Sequence, residues 1–444
     1  MSDTIYALSS GPVPAGVAVI RISGPATGFV LETIAGRCPA PRKAALCKLR
    51  APGGGDLLDV ALVLWFPAPA SFTGEDVAEL HCHGGRAVVA AVLETLSTFD
   101  GVRPAEAGEF TRRAFDNDRL DLLEVEGLAD LIAAETEAQR RLAMSQAGGA
   151  LGDLYDDWRA RLTRARAMIE AAFDFADEDD VPDDVSEGMW AEVERLEGEI
   201  ERHLDRSRGA ERLREGLQVV LLGKPNAGKS SLLNALARRD VAIVAEEAGT
   251  TRDVIEVHLD LEGVPVTLVD TAGLRETEGV VEREGIRRAL ERAARADLAL
   301  WLTAADDDQD AASAPPEAEA AREIWRVLSK VDLGSEGTEN NERPSRHRVS
   351  VTTGEGLNAL VADLARFARD GASGVGDLVA SRERHRVHLA AALAAIDDAR
   401  SEARPLELRA EDLRRASDSL GRIAGRTGVE DLLDVIFGEF CIGK

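Results

Sequence analysis

Gly223-Lys224-Pro225-Asn226-Ala227-Gly228-Lys229-Ser230 follows the apolar run Leu217-Gln218-Val219-Val220-Leu221-Leu222 and opens a helix-like stretch, Ser231-Leu232-Leu233-Asn234-Ala235-Leu236. Strand, glycine-rich turn and helix in that order are the setting of a phosphate-binding loop. Glycines let backbone amides curl around phosphate oxygens, the helix N-terminus adds partial positive charge, and Lys229 supplies a full one. Ser230 offers the hydroxyl that a phosphate-bound Mg²⁺ needs. A plain glycine turn would account for the same eight residues, so the motifs downstream must decide.

Those motifs are Gly249-Thr250-Thr251-Arg252-Asp253, the strand-like runs Val254–Leu259 and Val264–Val269, and then Asp270-Thr271-Ala272-Gly273. Their order and spacing are those of a switch-type GTPase. Thr251 can complete a Mg²⁺ shell, Asp270 can hold the metal through water, and the Gly273 amide can sense the terminal phosphate. Base choice falls to Ser329-Lys330-Val331-Asp332: the Asp332 carboxylate can accept two hydrogen bonds from guanine and the Lys330 stem can cover the ring. Asn commonly stands where this chain has Ser329, a change expected to remove one polar contact, on the order of 1 kcal/mol, without altering the preference for guanine. The fifth element is Ser350-Val351-Thr352-Thr353-Gly354-Glu355-Gly356, with Val351 in place of a small Ala. Leu274 occupies the place of a water-positioning glutamine and cannot orient water. A substitute carboxylate is expected just downstream, where Glu276, Glu278, Glu282 and Glu284 compete and spacing does not choose. Arg252 and Arg275 lie in switch segments without marking themselves as arginine fingers.

The chain has 444 residues, enough for two or three domains, and 45% hydrophobic content supports burial throughout. With 53 basic against 80 acidic residues its net charge is −27, which disfavours non-specific attraction to DNA, RNA or an anionic membrane. Any RNA must be met locally, and candidate basic patches are Arg112-Arg113, Arg159 with Arg161, Arg164 and Arg166, and Arg382 with Arg384 and Arg386. Arginines at helical spacing are more often solvated or paired. Cys38, Cys47, Cys82 and Cys441 are scattered without CxxC spacing, which argues against a disulfide scaffold or zinc site. In His81-Cys82-His83 alternate residues point to opposite faces of a strand, leaving too few metal ligands on either. No basic leader and no eighteen-residue apolar run is present, so a soluble cytoplasmic protein is expected.

Along the chain, residues 1–118 mix short β-rich runs, Val17–Ile22 and Val60–Trp65, with turn signals such as Gly53-Gly54-Gly55, and predict an α+β domain. Residues 119–214 change to amphipathic helical spacing, for example Leu151, Leu154, Trp158, Leu162 and Ile169. The acidic stretch Asp174 to Asp184 reads as a loop. Residues 215–370 form an α/β unit with two polar stretches, Asp306 to Glu319 and Gly334 to Arg348, expected to be exposed loops. After the Gly/Ser connector Gly371 to Gly376, the helical pattern resumes through residues 371–444. The whole is an α/β and α+β multidomain chain, its nucleotide-binding domain inserted into a helical one.

The flanking motifs carry a family resemblance. They are Val19-Ile20-Arg21-Ile22-Ser23-Gly24, Ser71-Phe72-Thr73-Gly74-Glu75-Asp76, Glu79-Leu80-His81-Cys82-His83-Gly84-Gly85, Gly108-Glu109-Phe110-Thr111-Arg112-Arg113-Ala114-Phe115, Arg119-Leu120-Asp121-Leu122 and the closing Phe440-Cys441-Ile442-Gly443-Lys444. Together with the phosphate loop, the chain resembles over its whole length the MnmE (TrmE) family, tRNA uridine-modifying GTPases. The resemblance implies a folate-binding N-terminal domain that dimerises, a discontinuous helical domain, and an inserted Ras-like P-loop GTPase domain. It implies that K⁺ takes the place of an arginine finger, held by Asn226 with Ala245, Glu247 and Thr250; Ala245 departs from the usual threonine, so only its carbonyl could serve. It makes Glu282 the water-orienting residue, and places the nucleotide against Asn226, Ala227, Gly228, Lys229, Ser230 and Ser231, against Ala245, Glu246, Glu247, Ala248, Gly249, Thr250 and Thr251, against Asp270, Thr271, Ala272 and Gly273, and against Ser329, Lys330, Asp332, Ser350, Val351 and Thr352. Mg²⁺ falls to Ser230 and Thr251. A one-carbon tetrahydrofolate such as 5-formyltetrahydrofolate falls to Arg21, Glu79, Arg119 and Lys444, with Arg119 where lysine is common.

Cys441 near the C-terminus could be a nucleophile or a small packed residue; the chemistry needs a lowered thiol pKa, which is not legible in sequence. The implied partners are a second copy of the chain, the FAD-dependent MnmG (GidA) in a heterotetrameric or larger complex, and tRNA; neither membrane nor DNA is expected. The expected activity is K⁺-stimulated GTP hydrolysis that drives G-domain dimerisation while a carboxymethylaminomethyl or aminomethyl group is installed on wobble uridines. Two other functions compete. A GTP-regulated assembly factor binding ribosomal RNA would need a basic module beside the G domain, where this chain has acidic helices; a scaffold without turnover would be indifferent to Glu282 and K⁺.

Overall fold

Among the described residues two six-stranded sheets are found, each within its own compact unit. The computed structural model describes residues 3–174, 183–224, 226–239, 241–243, 256–270, 296–305, 321–333, 347–372 and 378–426, and near the C-terminus residues 433, 436–438, 440 and 442–443.

The first unit gathers Met1–Ile132, Ser145–Glu194 and Ala391–Lys444. Its strands are β1 (Thr4–Leu8), β2 (Ala15–Ser23), β3 (Ala45–Arg50), β4 (Leu57–Phe66), β5 (Val77–Gly84) and β6 (Val102–Pro104), in the order β3-β4-β5-β2-β1-β6. All pairs are antiparallel except β1 with β6. Period-two alternation sends Ala18, Ile20 and Ile22 of β2 into a core with Leu49, Val63 and Leu80, and leaves Arg21 on the other face. Helices α1 (Thr27–Ala35) and α2 (Arg86–Ser97) contribute Leu31, Val92 and Leu96 to the same core. After α3 (Glu109–Asp116) and α4 (Leu122–Ala133) comes α6 (Ala150–Asp174), which packs along α11 (Leu406–Ile423). Of the α6 positions expected to face inward, Leu151, Trp158, Leu162 and Ile169 are buried and Leu154 is half-buried; Tyr155 and Ala165 complete the stripe. Near the C-terminus Ile436, Phe437 and Phe440 pack on Leu122 and Val125, and Ile442 bridges to Ala107.

The second unit comprises Ala133–Met144 and Arg195–Ala390. It holds most of α5 (Glu137–Ala147), the later turns of α7 (Asp183–Glu215) and the strands β7 (Leu217–Gly223), β8 (Glu256–Leu261), β9 (Val264–Asp270), β10 (Leu298–Ala304), β11 (Glu323–Ser329) and β12 (His347–Arg348). The order is β12-β11-β10-β7-β9-β8, parallel except for the β8–β9 hairpin. That hairpin closes through Glu262 and Gly263, both at positive φ (57° and 91°), the backbone a two-residue turn between right-twisted strands demands. Every residue of β9 is buried, as expected of a strand covered on both faces. Helices α8 (Lys229–Ala237) and α9 (Leu357–Gly371) supply Leu233, Leu236, Leu360 and Leu364 to the core, and α10 (Glu383–Arg400) follows. Because β7 lies between β9 and β10, chain order reverses at its carboxyl end, and ligands of open α/β sheets bind at such a reversal.

One expected loop is corrected. Residues 347–348, assigned by polarity to an exposed loop, form β12, with His347 buried beside Trp325 at a ring separation of 5.3 Å. Parallel pairing with Val327 and Leu328 outweighs the polar context, and a two-residue strand is too short to leave a periodic signal. The stretch Asp306 to Glu319, residues 334–346, most of the acidic Asp174 to Asp184 stretch and residues 373–376 lie outside the described residues. Among the described residues no helix is long and apolar enough to cross a membrane.

Candidate functional site

Gly223 ends β7 at φ 146°, and a side chain there would be driven into the Leu302 carbonyl of β10, so only glycine lets the chain leave the sheet at this point. Asn226 follows at φ 67°, a left-handed conformation that asparagine tolerates better than most residues, and Gly228 caps α8 at φ 89°. The loop therefore curls back over the end of its strand. Inside it the Lys229 ammonium donates to the carbonyls of Gly223 and Lys224, at 2.7 and 2.8 Å. Burial pulls the Lys229 pKa down while the Asp270 carboxylate opposes the fall. At the second residue of the helix, Ser230 Oγ donates to Asp270 Oδ2 at 2.6 Å. Asp270 is itself buried at the end of β9, so the neighbouring strand delivers an acid to the mouth of the loop.

The base-recognition segment is tied to this loop. Ser329 Oγ lies 2.6 Å from the Ala227 carbonyl and 3.1 Å from that of Thr303, and its hydroxyl donates toward both. The contact expected to be lost through the shorter side chain is thus accompanied by one that sequence reasoning missed, a buried tie between the phosphate loop and the end of β11. Lys330 stands at φ 56°, and Asp332 is exposed on the short turn Val331–Leu333. Opposite them Ser350 is buried, its N–H bonded to Glu355 O at 3.0 Å and its Oγ accepting from the Thr353 N–H at 3.1 Å. Val351 and Thr352 follow in that turn. Gly356 closes it at φ 71°, its missing side chain leaving room for the Arg348 carbonyl.

In the first unit, the register sets Arg21 of β2 directly opposite Glu79 of β5. Arg21 Nε and Nη2 reach Glu79 Oε1 at 3.2 and 3.0 Å, and His81 Nε2 lies 3.4 Å from the other carboxylate oxygen. The rings of Phe72 and Phe110 flank the guanidinium at 5.4 and 5.7 Å from their centroids. Sequence reasoning found the two charges but neither aromatic; both sit inside motifs already singled out, Ser71–Asp76 and Gly108–Phe115. Next along the strand Ser23 Oγ meets Thr73 Oγ1 and Glu75 Oε2, both at 2.7 Å, and Arg113 ties Glu75 to Glu109. Arg119 follows α3, its stem beside Gly74. His83 binds Asp59 while Cys82 is buried, its thiol pushed up to about 12. No group of three His, Cys, Asp or Glu side chains suited to a metal occurs among the described residues.

Several expected site residues lie outside the described residues: Ala245, Glu246, Glu247, Ala248, Gly249, Thr250, Thr251, Thr271, Ala272, Gly273, Glu282, Cys441 and Lys444. The structure brings together Asn226 through Ser231, Asp270 and Ser329 at one end of the second sheet, and Arg21 with Glu79 on the first.

A family model described as "GTP-binding protein TrmE N-terminus" matches residues 4–119, and one described as "MnmE helical domain" matches residues 122–441. A protein of Mesorhizobium japonicum described as tRNA modification GTPase MnmE is 56% identical over 449 residues, covering 100% of this chain and 99% of that protein. Proteins of the same description from Brucella anthropi and Rhodopseudomonas palustris are 54% and 50% identical, again covering 100% of this chain and 99% of theirs.

Proposed function

The chain belongs to the MnmE (TrmE) family, and from that premise we propose that it is a tRNA modification GTPase whose GTP hydrolysis is stimulated by K⁺. The observation that carries the reading is the phosphate loop at the reversal point of the second sheet, with the Lys229 ammonium held inside it and Ser230 joined to Asp270 at 2.6 Å. Bound there, the terminal phosphates would replace the carbonyl partners of Lys229 with charge-assisted contacts, while the α8 N-terminus contributes its amides. Ser230 and Asp270 present two oxygens side by side, a donor set that suits a hard cation, so Ser230 with Thr251 and the neighbouring Asp270 would hold Mg²⁺. The ion would neutralise charge on the β and γ phosphates. Asp332 selects guanine through its N–H pair, and Ser329 keeps that segment in register with the loop.

The finer assignments extend this reading. Asn226, with Ala245, Glu247 and Thr250, would hold K⁺, which would supply electrostatic stabilisation in place of an arginine finger, and Glu282 would orient water. Arg21, Glu79, Arg119 and Lys444 would bind 5-formyltetrahydrofolate or a related one-carbon tetrahydrofolate. The paired charges fit such a ligand: Glu79 keeps acceptor capacity for pterin N–H groups, and Phe72 and Phe110 offer ring faces beside Arg21. The chain would act in the cytoplasm as a homodimer with the FAD-dependent MnmG (GidA), installing a carboxymethylaminomethyl or aminomethyl group on the wobble uridine of certain tRNAs.

GTP turnover in K⁺ against Na⁺, with Glu282→Ala alongside, tests the switch. Stimulation in K⁺ that Glu282→Ala abolishes is the expected result, and equal rates in both salts would remove the K⁺ mechanism. Wobble nucleosides from cells lacking the chain test the pathway: unmodified uridines are expected, and an unchanged nucleoside profile would overturn the assignment.

A further inference from the structure

The segment before and within α5 stands far ahead of β7 in the chain, yet it belongs to the unit built on the second sheet. Its start is a capping box: Gln139 Oε1 accepts from the N–H groups of Glu135 and Thr136 at 2.9 and 3.1 Å, and Thr136 Oγ1 accepts from the Gln139 N–H at 3.3 Å. The other half of that amide, Gln139 Nε2, donates to the Arg214 carbonyl at 3.0 Å, just before the strand that ends in the phosphate loop. Leu142 is buried in the core of the same sheet, and Ala138 Cβ lies 3.6 Å from where a side chain on Gly263, in the β8–β9 turn, would begin. α5 is therefore anchored to the base of the sheet independently of any charge.

Glu135 adds a contact of another kind. Its Oε2 lies 3.6 Å from His258 Nδ1, which is also 3.3 Å from Thr267 Oγ1 across the hairpin. The His258 carbonyl accepts from the Ile243 N–H at 2.8 Å. Three residues beyond Thr267, β9 ends at Asp270, the acid bonded to Ser230. His258 thus joins the strand that delivers Asp270, the segment that follows α8, and a carboxylate from the N-terminus of α5.

We propose that Glu135 and His258 are positioning residues for GTP hydrolysis, holding the β8–β9 hairpin against α5 so that Asp270 stays in register with the phosphate loop. Both side chains are about one-third exposed, so their contact contributes little to stability. What they control is the placement of one hairpin on a helix that Gln139 and Leu142 already dock.

The inference rests on the GTPase assignment, and wild-type turnover in the same assay separates a failure of that assignment from a failure of this one. In the full-length protein, Glu135→Gln, His258→Asn and the double variant are compared by kcat for GTP, nucleotide dissociation constants and Tm. Each single change is expected to lower kcat about 3- to 10-fold, with dissociation constants shifted less than about twofold and Tm nearly unchanged, and the double variant should be no worse than the poorer single one. Unchanged kcat in both single variants, losses that multiply in the double, or a parallel fall in nucleotide affinity and Tm would each overturn it.

Discussion

Asp121 shows how one carboxyl can be held away from its ordinary titration. It caps α4 reciprocally with Glu124: Asp121 Oδ1 accepts the Glu124 N–H and the Asp121 N–H donates to Glu124 Oε2, both at 2.8 Å. Burial raises its pKa to about 6, and the neighbouring Glu124 charge adds to the rise while the Glu124 backbone N–H and Arg426 oppose it. Because the folded pKa lies above the unfolded value of 3.8, folding takes up a proton. Stability is greatest below that unfolded value and declines as pH rises through about 6, by on the order of 3 kcal/mol. Asp121→Asn keeps a capping oxygen and removes the charge. Thermal unfolding across pH 4 to 8 should show a variant advantage that grows through about pH 6 and then levels; a constant difference across that range would contradict it. None of this is legible in the motif Arg119–Leu122, because burial and the apposition of Gly152 are tertiary facts. The phosphate loop was legible because its chemistry is local, eight consecutive residues between an apolar run and a helix. The Ser329 tie to Ala227 was not, since it joins segments that only the sheet order makes neighbours.

At the scale of elements, the C-terminal segment is held by close backbone approaches as well as by the packing of Ile436, Phe437 and Phe440. Ile442 bridges to Ala107, the Phe437 carbonyl fills the space a side chain on Gly108 would need, and Gly443 at φ 99° lies against the Leu8 carbonyl at the end of β1. Alanine at position 443 would carry both a left-handed backbone, costing about 1–2 kcal/mol, and a methyl group driven into that carbonyl. Gly443→Ala should free the segment, seen as faster carboxypeptidase release of the C-terminus. It should lower tRNA modification about tenfold or more, while GTP turnover, seated in the other unit, changes less than about twofold. Unaltered carboxypeptidase release would show that the docking tolerates the methyl group. The motif itself could be read from the chain, but its place could not, because pairing between residue 107 and residue 442 leaves no periodic trace. The same limit hid β12, whereas β2, β4 and β9 announced themselves through alternation or a continuous apolar run.

For the whole molecule, the net charge of −27 sets the terms on which it meets an RNA. The basic patches visible in the sequence are largely committed internally: Arg113 to Asp3, Glu75 and Glu109, Arg161 to Glu192 at 2.7 Å, Arg166 to Glu170 at 2.8 Å, and Arg386 within 3.5 Å of Glu211. A guanidinium already bonded to a carboxylate must give up that partner to take a phosphate, and the surrounding acidic surface repels the rest of the backbone. Giving up a carboxylate partner costs up to about 1 kcal/mol for an exposed pair, and more for the largely buried Arg113 and Arg161, so few phosphates can be neutralised and the salt dependence should be shallow. We therefore expect this chain alone to bind tRNA with a Kd weaker than about 1 µM at physiological salt, the range of purely non-specific association. The FAD-dependent partner proposed above is expected to supply most of the affinity, tightening binding at least about tenfold when added. Fluorescence anisotropy of labelled tRNA, titrated with the chain alone and then with the partner at several salt concentrations, measures both quantities. Binding tighter than about 100 nM by the chain alone, with a steep salt slope, would mean that these arginines leave their carboxylates for the RNA.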